Sequence, residues 1–407
     1  MVYIFTLSDK CLIGKQINNI SAYFAETLFK HNYVIAEQKT TGSSQNISAQ
    51  LENKKSGDIC LVLVEKSNFA LNSALAKIAN CEIKDNEYIK NNIYEYYRKR
   101  NLILEKESEN EWKIPEKARA IINPNNITQG YMLNIKDVLY FVLPLSELDS
   151  KQMFDNVVLD CILASSKKKY KNHTFKTFGI SANSLQEILK EQIKNKDKVS
   201  INLFEKNSGV DIILKSHSDN EHIDDYARKI FLKLNNYIYS VEDISIEKVA
   251  YDLINMNNIK IAFAETITGG KCCYNFVSQA PNAKNLVAGS IVACDKQGIC
   301  SSLGIDEKFF EQNGEVSVNC VHQMALNLIM KSNADIVVAS VGNLDENNGS
   351  NMGLSYIAVG DKKEIHIYKN IFNGSHKEII DNITIATYFY LIKKLKKNDF
   401  HFEKTIV

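Results

Sequence analysis

A dominant charge is missing from this sequence: Lys and Arg together number 49, Asp and Glu 48, in 407 residues. Without a net field, nothing recruits nucleic acid or anionic lipid non-specifically, so no nucleic-acid partner is expected. No apolar run reaches the roughly 18 residues that a membrane-spanning helix needs. The opening MVYIFTLSDKCLIGK also lacks the basic start and long apolar core of a secretory leader. A cytoplasmic protein with no membrane contact is the expectation. Paired CxxC spacing is absent although there are nine cysteines. An odd count, in a chain long enough to need no staples, points to reduced thiols. Cys272 and Cys273 are sequence neighbours, which suits a tetrahedral metal poorly, so neither a metal nor another cofactor is expected. No repeat with a period of roughly 20 to 50 residues appears, which argues against a solenoid.

What is present is a soluble globular balance, 45% hydrophobic and 24% charged, over a length that calls for two or three domains. The first third alternates short β-rich runs with helical ones: VYIFTL, an amphipathic stretch from Ile17 to Phe29, YVIAEQKT, then the apolar DICLVLVE. That order predicts βαβ units and a mostly parallel sheet with helices on its faces. VLYFVLPL adds a strand ending at Pro144, and the charged, Asn-rich stretch from Glu82 to Trp112 reads as an exposed helical excursion. Lys167, Lys168, Lys169 and Lys171 mark a solvated linker, with no aromatic platform for nucleic-acid stacking beside them. After it, SLQEILKEQI, VSINLFEK, VDIILKS and DDYARKIFLKLNNYI form a small α+β module. The last third, from about Ile244, is again α/β, with strands KIAFA, IVVASV, LSYIAVG and EIHIYK and a closing helix from Lys377 to Lys396.

The segment richest in chemistry is KIAFAETITGGKCCYNFV. A strand runs through a Thr-Gly-Gly turn into a helix, so backbone amides and the helix dipole converge where an anion could sit. Thr266 and Thr268 bring hydroxyls, Gly269 and Gly270 allow close approach to the backbone, and Glu265 is placed to orient a ribose or an amide. The same pattern also serves as ordinary helix capping.

AETITGG resembles the AESCTGG signature of the CinA (competence/damage-inducible) family, whose C-terminal domain converts nicotinamide mononucleotide to nicotinate mononucleotide and ammonia. The likeness is co-linear. LVAGSIVACDKQGICSSLGID, which contains Gly289, and NGEVSVNCVHQMA resemble later blocks of that domain. SDKCLIGKQINNISAYFAETL, NPNNITQG and YFVLPLSELDSKQMF are similar to the family's molybdopterin-binding-like N-terminal domain, and FGISANSLQEIL to its KH-like connector. The resemblance implies three α/β modules: a three-layer molybdopterin-binding-like domain over 1–165, a KH-like α+β connector over 172–242 and a CinA-type domain over 243–400. It also implies a small nucleotide ligand and a homodimer.

Carried over singly, the family's catalytic serine, second serine, tyrosine and lysine fall on Thr266, Lys284, Cys294 and Ile299. Only the first keeps a hydroxyl, and isoleucine cannot accept a proton where the family has lysine. The family's Thr-Gly-Ile-Ala-Gly-Pro loop puts Val341 at the threonine and retains Gly342; its Gly-Asp-Arg element is matched by Gly374, Ser375 and His376. In the N-terminal domain, EKSNFALNSAL stands where active relatives carry a Gly-rich phosphate turn, Ser8, Lys10 and Ile20 replace Gly, Glu and Asn around Asp9 and Gly14, and Leu145 replaces a glycine. Pyrophosphatase chemistry on ADP-ribose is therefore not expected. Three readings follow for the C-terminal domain: a holder of nucleotide with catalysis lost, an amidohydrolase rebuilt around Thr266 or around Cys294 with Lys284 or His376, and a structural subunit paired with an active copy.

Overall fold

The computed structural model describes residues 1–397 except 44–46, 105–108, 124, 126, 166–169, 193–198, 207–208, 218–221 and 346–351. It is an α/β protein that divides into two compact units, Met1–Tyr170 and Lys171–Val407. Of the basic cluster, only Lys171 lies within the described residues, at the start of the second unit. Pro124 and Asn126 of the NPNNITQG block, and the end of the ASVGNLDENNGS segment, also fall outside them.

The first unit is built on a sheet of six strands. In chain order they are β1 (Val2–Leu7), β2 (Ile35–Thr41), β3 (Ile59–Val64), β6 (Arg119–Ile121), β7 (Gly130–Ile135) and β8 (Val138–Pro144); β4 (Ile83–Asp85) and β5 (Lys113–Pro115) form a separate ribbon. The sheet order is β2-β1-β3-β8-β7-β6. Its first four strands are mutually parallel, and β7 and β6 add on antiparallel. Every residue of β3 and β8 is buried, because parallel strands with helices on both faces have no solvent side. Helix Asn19–Lys30 covers one face with Ile20, Phe24 and Leu28, and Phe24 stacks on Phe154 at 4.3 Å between ring centres. Helices Phe69–Ala79 and Glu87–Lys99 belong to the other face. The 82–112 excursion is corrected here: Ile89, Ile93, Tyr97 and Trp112 are core residues, and the charged positions of helix Glu87–Lys99 are the outer face of an amphipathic helix.

The second unit holds two sheets. β9 (Tyr170–Thr177), β10 (Ser200–Lys206), β11 (Gly209–His217) and β12 (Ile238–Ser240) run in the order β10-β11-β9-β12, backed by helices Ala182–Gln192 and His222–Leu234. β13 (Ile261–Glu265), β14 (Val287–Val292), β15 (Ile336–Gly342), β16 (Leu354–Gly360) and β17 (Ile365–Ile371) run in the order β14-β13-β15-β16-β17. The first three of these neighbours are parallel and the last two antiparallel. Helices Ile246–Met256, Lys271–Val277 and His376–Lys397 pack on one face, around Phe263, Val338 and Ile383. Helices Lys296–Leu303, Glu307–Asn313 and Val318–Lys331 pack on the other, around Ala264, Val337 and Met324. The closing helix also ties the two sheets together: Phe389 meets Phe178 at 5.1 Å, and Lys396 donates to the carbonyls of Ile238 and Tyr239.

Candidate functional site

The carboxyl ends of β13 and β15 lie side by side, with Glu265 in register with Ser340. In an open α/β sheet this end is where loops can gather around a ligand. The chain leaves β13 at Glu265 and turns through Gly269 and Gly270, both at positive φ (59° and 89°), before entering helix Lys271–Val277. An L side chain disfavours that backbone, which accounts for the paired glycines.

Glu265 is buried and engaged on both oxygens. It accepts the Thr268 hydroxyl at 2.6 Å and the Cys272 amide at 3.0 Å on Oε2, and the Cys273 amide at 2.8 Å on Oε1. The Lys271 amide donates to Thr268 O and the Gly269 amide to Thr266 O. The expectation of open amides at this helix start is corrected: these four are bonded within the chain, and the negative charge favoured there is supplied by Glu265 itself. Thr268 is buried and also lies 3.2 Å from Ser340 Oγ. Thr266 is half-buried; its amide and its hydroxyl both donate to Ser340 O, at 3.2 and 3.1 Å. Burial, with Glu265 nearby, pushes the Cys272 thiol well above the ordinary range, and burial does the same more mildly to Cys273. Neither thiol is poised as a nucleophile.

The remaining positions scatter. Lys284 is exposed on the turn Ala283–Leu286, Cys294 is exposed just past β14, and Ile299 is buried in helix Lys296–Leu303 within the opposite core. Among the described residues, no hydrogen bond or ion pair joins Thr266 to Lys284 or Cys294. Gly289 sits on β14 opposite Ala262, with open space where a Cβ would be. Gly342 ends β15, and a Cβ there would fall 2.6 Å from Ile267 Cδ1, so the isoleucine of the turn occupies the space above it. His376 is exposed at the start of the closing helix.

Two participants were not singled out in the sequence. Ser340 is the partner shared by Thr266 and Thr268, and its signal was a lone hydroxyl at a fully buried position in IVVASV. Lys271, the residue after the glycines, forms an ion pair with Asp381 of the closing helix. That pairing joins residues 110 apart, which periodicity does not reveal.

In the first unit, the turn after β3 is closed in a similar way. The Ser67 amide donates to both oxygens of the buried Glu111, at 3.1 and 3.3 Å, and Asn68 caps the helix that follows. Burial raises the Glu111 carboxyl, against the Ser67 amide and nearby Lys66. Ser8 donates to Glu65, and Ser43 donates to Asp9 through its amide at 3.2 Å and through its hydroxyl. No helix among the described residues is long and apolar enough to cross a membrane.

Residues 243–395 match the family model described as CinA C-terminal domain. This sheet and its Thr-Gly-Gly turn are thus a CinA C-terminal domain. A competence-damage inducible protein by name from Caldicellulosiruptor saccharolyticus is 23% identical over 392 residues, 93% of this chain and 95% of the relative. A CinA-like protein from Sulfurihydrogenibium sp. is 28% identical over 299 residues, 72% of each chain. A crystal structure of a CinA superfamily protein from Klebsiella pneumoniae aligns with 37% of this chain and 96% of its own, at a TM-score of 0.36 and 18% identity. The chain is thus similar to CinA-family proteins along most of its length, and residues 243–395 match that family's C-terminal domain.

Proposed function

We propose that this protein no longer hydrolyses the carboxamide of nicotinamide mononucleotide, and that it acts by holding a small nucleotide or by assembling as a homodimer. The supporting observation is the hydrogen bond from Thr266 Oγ1 to the main-chain oxygen of Ser340. A hydroxyl attacks a carboxamide only when a base removes its proton, and a peptide carbonyl cannot be that base. The positions where a base or second hydroxyl is expected carry the exposed Lys284 and Cys294 and the buried Ile299. Losing such a group commonly costs several orders of magnitude in rate.

The reading extends along the chain as a molybdopterin-binding-like domain over 1–165, a KH-like connector over 172–242 and a CinA-type domain over 243–400. Pyrophosphatase chemistry on ADP-ribose has no place in it, because the amide that would meet a diphosphate after β3 is bonded to Glu111. The test is purified full-length protein with nicotinamide mononucleotide, following ammonia and nicotinate mononucleotide, beside Thr266→Ala. The expected result is no release above the uncatalysed background in either protein. Turnover by the natural protein that Thr266→Ala abolishes would overturn the reading. Calorimetry with the same nucleotide separates its two halves, since a flat titration at millimolar ligand leaves assembly alone.

A further inference from the structure

Side chains alternate along β15, so Val338, Ser340 and Gly342 face the same way, toward the core that includes the closing helix. β16 runs antiparallel beside it, with Ser355 opposite Gly342 and Ile357 opposite Ser340, which puts the Ser355 side chain on that face as well. Ser355 has no exposed surface, and its Oγ finds no hydrogen-bond partner among the described residues. A hydroxyl sealed from water without a partner is unfavourable, and native proteins keep few of them. Its neighbour is the side chain that reaches in from the Thr-Gly-Gly turn. Gly342 has no side chain, and the point where its Cβ would lie is 2.6 Å from Ile267 Cδ1 and 3.2 Å from Ile267 Cγ2. Directly opposed residues hold their Cβ atoms about 5 Å apart, so the tip of Ile267 lies beside Ser355. Ile267 is half-buried between two anchored residues, Thr266 bonded to Ser340 O and Thr268 to Glu265.

We propose that Ile267 is a built-in occupant of a small-ligand site at the carboxyl end of β15, and that the chemistry it displaces is a neutral primary carboxamide anchored by the Ser355 hydroxyl. Beyond Cβ, isoleucine places Cγ1, Cγ2 and Cδ1, which match the carbon, oxygen and nitrogen of a carboxamide atom for atom. A serine hydroxyl donates to the amide oxygen or accepts from its nitrogen, so either orientation of the carboxamide satisfies it. Neutrality follows from the surroundings. Glu265 spends both oxygens on Thr268, Cys272 and Cys273, and the amides of Gly269, Lys271, Cys272 and Cys273 are bonded within the chain, which leaves none of these groups to meet an anion. Moving an ion into such a place costs far more than moving an amide that gains a hydroxyl partner. This inference rests on the ligand half of the proposed function, whose chemistry it names. Ammonia release by the natural protein would sink that reading and leave the benzamide measurement below standing.

The test is calorimetric titration of the full-length protein with benzamide and with benzoate, which share a shape and differ in charge. Ile267→Ala is expected to bind benzamide in the millimolar range, about tenfold tighter than the natural chain, in which the isoleucine must first be displaced. Benzoate should give no heat of binding with either protein. Adding Ser355→Ala to Ile267→Ala should weaken benzamide about tenfold, the loss expected for one hydrogen bond. Should Ile267→Ala not fold, Ile267→Val, which removes only Cδ1, carries the same titrations with the same expected order. Ser355→Ala alone gives a readout that needs no cavity: with no partner to lose, it should melt no lower than the natural protein. Equal benzamide affinity in the natural and trimmed chains, benzoate bound as tightly as benzamide, unchanged affinity on adding Ser355→Ala, or a clearly lower melting temperature for Ser355→Ala would each overturn the proposal.

Discussion

Glu265 and Thr268 are joined at 2.6 Å inside the CinA domain, the threonine hydroxyl donating to a carboxylate that is only 1% exposed. The acid most visible in the sequence therefore faces inward, where it completes the first turn of the helix behind it.

Glu265→Ala should for that reason act on stability. It strands the Cys272 and Cys273 amides and the Thr268 hydroxyl, and each buried unmet donor costs about 1–3 kcal/mol. A loss on the order of 3 kcal/mol in the unfolding of the second unit is expected. Urea unfolding followed by hydrogen exchange in β13 and β15 measures it; a change under about 0.5 kcal/mol, the size of an ordinary surface substitution, would contradict it.

Alkali should stabilise the contact between the closing helix and β12. Burial lowers the Lys396 ammonium to about 8 from an unfolded value near 10.5. Between those values the unfolded chain binds more protons than the native one, so stability rises with pH. Lys396→Met is expected to melt higher than the natural protein at pH 7 and to lose this rise. Thermal unfolding of both proteins from pH 7 to 10 checks the sign.

Acid should weaken a second contact of the same helix end. Lys394 is buried and held by Glu364 at 2.7 Å and Asp361 at 3.1 Å. Lys394, then His366, hold the Glu364 carboxyl down at about 2. For Asp361, amide bonds from Glu364 and Lys363 and the Lys394 ammonium outweigh burial and keep it low. These contributions are present above the ordinary carboxylate range and are lost as pH falls from about 4.5 toward 2. Lys394→Met should flatten that part of the melting-temperature curve, and an unchanged slope would show that the pairs contribute little.

Gly353→Ala should fail to reach the native sheet. Gly353 has φ +80°, and a Cβ there would lie 1.8 Å from Phe372 O, the backbone against which it packs. Strain and overlap coincide, so loss of soluble protein is expected, whereas Gly289→Ala, with open space around it, should express normally.

Much of the architecture was legible because it is periodic. The DICLVLVE and VLYFVLPL runs became β3 and β8, fully buried as adjacent parallel strands require. KIAFAETITGG displayed a strand, a left-handed turn and a helix start in the order the chain adopts. The Glu82–Trp112 stretch misled because its charges outnumber the four apolar residues that face the core, and only their helical spacing carries the packing information.

What the sequence determined by itself is the likeness to CinA-family proteins and the order of the elements, since these depend on near neighbours along the chain. Tertiary structure alone decided that Glu265 meets its own helix amides, that Thr266 points its hydrogen at Ser340, that Ile267 lies over Gly342 and that Lys271 pairs with Asp381. Hydrogen bonds and ion pairs act over a few ångströms whatever the distance in sequence. Whether a polar group faces a ligand or its own protein is therefore set by where the folded backbone brings the second partner.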